Sequence, residues 1–288
     1  MLERAGAPFR GFGDWLARVV DGFYRVLGRP GKWLQDFVNG TWLGHPLHPV
    51  LTDVVIGGAT LIAVFDLSVL VLGAEGLETA SLVAVGFVAL SALGATASGL
   101  TDFKDTHTGN ERNVVVIHGL INIVATAVYV VSFLLRFGGS DDIGIWFSLG
   151  GVLILTVGGY IGGHVVYKYG YTVNRNAFAK GQRAKEWTPV IAAADVPENT
   201  PTKVMLGSTA LVVVRRGDMV HALKGTCSHA GGPLDQGELV GDTIVCPWHF
   251  SAFRLSDGAV RHGPATSRQV RYDTRVNDLQ IEVQGPID

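Results

Sequence analysis

Two strings, Cys227-Ser228-His229-Ala230-Gly231-Gly232-Pro233-Leu234 and Cys246-Pro247-Trp248-His249, decide what the C-terminal third of this chain is. Each is a glycine- or proline-rich loop that carries one cysteine and one histidine, and sixteen residues separate the two ligand pairs. Two thiolates and two imidazoles suit a tetrahedral zinc ion. They equally suit a [2Fe–2S] cluster in which two cysteines hold one iron and two histidines the other. Zinc modules usually pair Cys with Cys and His with His along the chain. Here each loop brings one of each, as a cluster requires when both loops must touch both irons. The chain has 2 cysteines in all, so no disulfide framework is available.

Working outward, short alternating apolar runs at 203–215, 219–223, 243–246, 252–255 and 279–283, broken by turn residues, predict an antiparallel β domain of about 100 residues over 187–288. Upstream, residues 169–186 are polar, basic and Gly/Asn-containing, and read as a linker. The rest is far more apolar. The whole chain is 48% hydrophobic and 17% charged, against a globular norm of about 25% charged.

Stretches 49–73, 79–100, 114–135 and 143–166 are each long enough for a bilayer core of about 30 Å. Their short connections predict an up-down-up-down bundle. The N-terminus, the 101–113 loop and everything after His164 then share one side. Thirteen lysines and arginines near the membrane lie on that side and only Arg136 on the other, which makes it cytoplasmic by the positive-inside rule. The opening Met1-Leu2-Glu3-Arg4 does not read as a secretory signal, so insertion through the chain's own helices is expected. Phe12, Trp15, Leu16, Val19, Val20, Phe23 and Leu27 recur at helical spacing, predicting an amphipathic helix at the headgroup level; a helix packed on the soluble domain is the alternative. The expected organisation is an interfacial segment (1–44), a four-helix transmembrane domain (45–168), a linker (169–186) and an all-β domain (187–288). Basic and acidic residues balance, 14 against 14 over 1–186 and 9 against 11 over 187–288. That sets nucleic acid aside as a partner.

Residues 188–284 resemble a Rieske iron–sulfur domain: both cluster loops are present, and Gly263-Pro264 stands where that family has a proline loop over its cluster. The resemblance implies that Cys227 and Cys246 bind the inner iron, and His229 and His249 the outer one. Where respiratory members have a second cysteine in each loop, joined as a disulfide, this sequence has Gly232 and Trp248, so it is closer to the ferredoxin-type branch. The missing disulfide suits a reducing compartment. Ser251 keeps the serine two residues beyond the last histidine, whereas Phe253 replaces a hydrogen-bonding tyrosine. The expected potential therefore lies below the respiratory members, within roughly −150 to +300 mV. His221 and His262 have no partner spacing and read as structural. Residues 41–170 resemble a family of four-helix bacterial membrane proteins with the same His-Pro-Leu-His-Pro opening and a later Gly-Leu-Thr-Asp, here Gly99-Leu100-Thr101-Asp102. That family implies no established activity.

Five histidines remain. His45, His48, His118 and His164 fall in one leaflet on three helix ends, and His107 in a polar loop where solvation is expected. Ionisable residues within the membrane default to function. Three readings stand for the layer: one haem b with His118 and either His48 or His164 as axial ligands, another metal or a quinone pocket, or helix capping. Under the haem reading the glycines from 158 to 163 give a porphyrin clearance. Asp53 is placed to orient an imidazole, and Asp66 is read as buried with Asn122 and threonines for company.

The function expected is a membrane-anchored Rieske electron-transfer protein, multi-pass in the bacterial cytoplasmic membrane with both termini cytoplasmic, exchanging electrons with a haem b of its own bundle. The alternative is a tethered ferredoxin or redox sensor whose bundle is only an anchor or quinone site. An oxygenase needs a mononuclear iron site, and no stretch after 284 supplies one. An electron-transfer component of an oxidoreductase is expected ahead of a stand-alone enzyme. The partners expected are the lipid bilayer, redox proteins or a quinone, and further copies of the chain.

Overall fold

The computed structural model describes residues 2–106, 108–177 and 183–287. His107 and the middle of the linker stretch lie outside these. The chain divides into two compact units, one made of the chain through Gly31 with Pro46–Tyr171, the other of Lys32–His45 with the chain from Thr172.

The first unit holds α1 (Leu2–Ala5), α2 (Arg10–Val26), the first turn of α3 (Gly28–Asn39), and four long helices. These are α4 (Leu47–Leu72), α5 (Leu77–Lys104), α6 (Asn110–Phe137) and α7 (Asp141–Tyr169), all long and apolar enough to cross a membrane. At about 1.5 Å per residue each reaches about 40 Å. Pro46 precedes α4 in an extended conformation, and Pro49 sits in the first turn where its missing N–H is no loss. Gly73, at φ +60°, ends α4 by turning its N–H back to Val69 O at 3.1 Å, a conformation costly for other residues. The core between α4, α5 and α6 packs small and branched residues, Val55, Ala59, Ile62, Val85, Val88 and Ala92 among them, around the buried ring of Tyr129.

At one end of this bundle sits a buried polar network that the sequence reading misassigned. Arg136 was expected in a loop. It lies in the last turn of α6, fully buried, with its guanidinium 2.7 Å from Asp66 Oδ2, 2.9 Å from Ser81 Oγ and 2.8 Å from Ser148 Oγ. Asp66 also accepts from Ser81 at 2.6 Å and from Ser148. Its company is therefore a cation and two hydroxyls, from residues too far along the chain for any local spacing to pair. Helix α2 buries Gly13, Ala17 and Tyr24, the last 2.7 Å from Thr101 Oγ1, and joins Asp14 to Arg112 at 3.1 Å. Its Phe12, Trp15, Val19 and Phe23 stay exposed.

The second unit is all-β apart from the rest of α3. A six-stranded antiparallel sheet has β1 (Ala184–Ala192), β10 (Gln280–Ile287), β9 (Arg271–Asn277), β4 (Met219–Lys224), β3 (Thr209–Arg216) and β2 (Thr202–Leu206) in that order. A four-stranded sheet runs β5 (Glu238–Val240), β6 (Thr243–Val245), β7 (Ala252–Arg254), β8 (Val260–His262). The run expected as one strand over 203–215 is the β2–β3 hairpin, broken at Gly207 with φ +56°. Strand β1 begins inside the stretch read as linker.

Candidate metal centre

The first cysteine loop leaves β4 and the second joins β6 to β7. Both are the same turn. The amide four residues after each cysteine donates to the cysteine carbonyl, Gly231 to Cys227 at 3.0 Å and Phe250 to Cys246 at 3.1 Å. Each cysteine amide donates to the carbonyl five residues on, Cys227 to Gly232 at 2.9 Å and Cys246 to Ser251 at 2.8 Å. The turn needs a left-handed residue at the fourth position, which is Gly231 (φ +85°) in one loop and Phe250 (φ +62°) in the other. A shared turn thus presents the two cysteines, and then the histidines, to one place.

Cys227 and Cys246 are buried, and His229 and His249 are half-buried with ring centroids 5.1 Å apart. The Cys227 thiol donates to the Cys246 sulfur. That bond, helped by the Trp248 and His249 amides, draws Cys246 down against the cost of burial. Cys227 is raised, because losing its proton means losing that bond and placing a second anion in the same buried site. Two sulfurs this close in a buried site become two thiolates only around a cation, which is what a cluster iron supplies. The residues present therefore fit the group. Gly232 permits the approach: a side chain there would put Cβ 2.6 Å from Cys246 Sγ.

The proline loop closes over the second cysteine loop, with Gly263 at φ +95° where a Cβ would lie 2.7 Å from Ser251 Cα. Ser251 is buried and its Oγ accepts from the Ala265 amide at 3.1 Å, which leaves the hydroxyl proton to donate elsewhere. Phe253 is fully buried in the same apolar cluster as both cysteines.

Several supports were invisible locally. Gln269, buried, donates to Thr226 O at 2.7 Å and accepts from the Ser228 amide at 3.1 Å, fixing the first loop from 43 and 41 positions away. The Arg175 amide donates to Ser228 O at 2.9 Å and Asn176 Nδ2 to Thr226 O at 3.2 Å, so part of the expected linker braces that loop. His262 does have a partner: Asp36 of α3, 2.8 Å from its Nδ1 and 2.9 Å from the Gly263 amide. His221 lies in β4, its pKa lowered by burial and by Arg216.

In the helical unit, His48 and His118 come together with ring centroids 6.3 Å apart and planes at 89°. His164 instead packs edge-on to Tyr169, and His45 is exposed in the other unit. Asp53 is exposed on α4, and His118 Nδ1 lies 2.9 Å from the Gly158 carbonyl and 3.2 Å from Asn122 Nδ2. Of the glycines read as clearance, two face protein groups, since a Cβ at Gly158 would meet Asn122 at 2.7 Å and one at Gly162 would meet His118 at 2.8 Å, whereas a Cβ at Gly159 would meet nothing within 4 Å.

Fold and site define a Rieske iron–sulfur protein. Residues 186–278 match the Rieske [2Fe-2S] domain and residues 44–175 the family described as predicted membrane protein (DUF2231). The chain belongs to the Rieske family through its C-terminal domain. It is 34% identical over 100 residues to ferredoxin CarAc of Metapseudomonas resinovorans, covering 34% of this chain and 94% of that one. To the cytochrome b6-f complex iron-sulfur subunit of Chlorobaculum tepidum it is 28% identical over 142 residues, 49% of this chain and 77% of that one. Among solved structures, the ferredoxin of carbazole 1,9a-dioxygenase from Nocardioides aromaticivorans IC177 matches at 30% identity and TM-score 0.33, over 34% of this chain and 96% of that one.

Proposed function

We propose that this chain is a membrane-anchored electron-transfer protein of the bacterial cytoplasmic membrane, with a cytoplasmic [2Fe–2S] cluster and one haem b in the cytoplasmic leaflet of its own bundle. The observation that carries the cluster is the pair of identical turns that present one cysteine and one histidine each. Cys227 and Cys246 would hold the buried iron, and His229 and His249 the iron nearer solvent. When bound, the cluster supplies one-electron transfer. The chain's own groups set its energetics. Ser251 Oγ accepts from the Ala265 amide and keeps its hydroxyl proton available, and the amides of His229, Ala230, Trp248 and His249 donate to the cysteine sulfurs. Each such donor favours the more electron-rich state. Phe253 supplies a buried ring with no hydroxyl, so one donor fewer acts on the cluster. The half-buried histidine edge is the exit for electrons to a redox protein or quinone.

The cytoplasmic side is supported by the basic residues concentrated there, and by Gly232 and Trp248 standing where a disulfide would need cysteines. The haem is supported by His48 and His118 meeting at the end of the bundle where α7 finishes. Iron and acid-labile sulfide assays on purified protein test the cluster: about two of each per soluble domain are expected, and stoichiometric zinc without sulfide contradicts it. An alkaline phosphatase fusion after Asp288 tests the topology. Inactivity is expected, and periplasmic activity overturns the orientation.

A further inference from the structure

The buried positions of the helical unit repeat. In α4 they are Val55, Ala59, Ile62 and Asp66, and α6 buries Ala125, Tyr129, Ser132 and Arg136, each 70 positions later. Along the second helix of each hairpin the spacing is 63: Ser81, Val88 and Ala95 of α5 answer to Gly144, Gly151 and Gly158 of α7. Contacts obey the same offsets. His48 Nδ1 lies 2.8 Å from Ala95 O, and His118 Nδ1, 70 positions on, lies 2.9 Å from Gly158 O, 63 positions on. A Cβ at Gly99 would sit 2.8 Å from the His48 ring, and one at Gly162 2.8 Å from the His118 ring. The bundle is two copies of one helical hairpin. Residues that touch their own counterpart must straddle the axis relating the copies, and two pairs do so: Asp66 with Arg136 at one end, His48 with His118 at the other.

From this geometry we infer that His48 and His118 are the two axial ligands of a single haem on that pseudo-twofold axis, a statement that rests on the haem reading above and assigns its residues. The shortest contact of each Nδ1 is a carbonyl, which only accepts, ahead of Ser98 Oγ at 3.4 Å from His48 and Asn122 Nδ2 at 3.2 Å from His118, so the ring proton is placed on Nδ1 and Nε2 is left as a lone-pair atom. A quinone carbonyl needs donors, which two lone pairs are not. Two imidazoles are what a porphyrin iron lacks. The 6.3 Å between ring centres agrees with two imidazoles on one iron, at about 2.0 Å per metal–nitrogen bond plus about 1.1 Å to each ring centre. Around the layer the helices contribute His48, Gly99, His118 and Gly162 in turn, so histidine alternates with a position that has no side chain.

Full-length protein purified in detergent from a haem-sufficient host tests this by pyridine haemochrome assay and by dithionite-reduced spectra. One haem per chain is expected, with a sharp reduced α-band lost in His48→Ala and in His118→Ala and kept in His164→Ala and His45→Ala. The cluster's iron and sulfide should stay unchanged in all four. His118→Gly with added imidazole, titrated with hemin, guards against a merely misfolded variant: recovery of the low-spin band supports ligation, and failure of the band to return despite native helical circular dichroism contradicts it. Haem retained in both His48→Ala and His118→Ala overturns this pair alone. Haem-free wild-type protein that also fails to take up hemin overturns the pair and the haem reading together, leaving the cluster reading intact.

Discussion

Replacing Arg136 by methionine removes the cation from the buried network while roughly keeping its volume. Asp66 then faces only the hydroxyls of Ser81 and Ser148, with its side chain fully buried. Breaking one side of a buried pair costs about 3–5 kcal/mol, because the remaining charge is left uncompensated. Asp66→Leu combined with Arg136→Met removes both charges and should recover most of that loss, within about 1 kcal/mol of wild type, since well-packed apolar replacements of buried pairs are often neutral. For a unit of this size about 2–4 °C accompanies each kcal/mol, so the single variant should melt roughly 10 °C lower. Thermal unfolding of detergent-solubilised protein, followed by helical circular dichroism, reads this directly. A loss below about 3 °C for Arg136→Met, or a double variant as unstable as the sum of the singles, refutes a coupled ion pair.

His249→Ala should abolish the cluster while His262→Ala keeps it, by iron, sulfide and reduced-state spectra. Asp36→Ala removes the acceptor for His262 Nδ1 and the Gly263 amide and should destabilise the cluster domain by about 1–3 kcal/mol, read as faster cluster loss on warming. Phe253→Tyr should raise the reduction potential measured by redox titration, if the new hydroxyl reaches the cluster as its family counterpart does; an unchanged or lower potential counts against that role. Asp257 is held well below the usual carboxylate range by its hydrogen bond from Arg254 and by the Ala259 amide. A depressed folded-state pKa gives stability that is present above the unfolded carboxylate value of about 4 and is lost as pH falls below it. Asp257→Asn should flatten that acid limb by no more than about 1 kcal/mol in pH-dependent melting.

The two loops that the structure brings together were legible because their pattern is local: Cys and His two or three residues apart in turn-forming sequence. The four spans were legible because a bilayer demands long apolar runs. What escaped was long-range. Asp36 reaches His262 across 226 positions and Arg136 reaches Asp66 across 70, and neither pairing leaves a spacing a single strand of sequence reveals. Strand β1 hid in a polar stretch because an edge strand exposes one row of residues to water. The hairpin duplication was hidden as well, since equivalent positions carry different residues, aspartate against arginine and serine against glycine. Only burial and contacts show that they match.

The central claim, that mixed Cys/His loops bind a histidine-ligated [2Fe–2S] cluster, is tested most directly by electron paramagnetic resonance of the dithionite-reduced full-length protein alongside iron and acid-labile sulfide analysis. A rhombic signal of low average g value, with about two irons and two sulfides attributable to the soluble domain and lost in His229→Ala and His249→Ala, is the predicted result. A silent reduced sample with one tightly bound zinc and no sulfide contradicts the account.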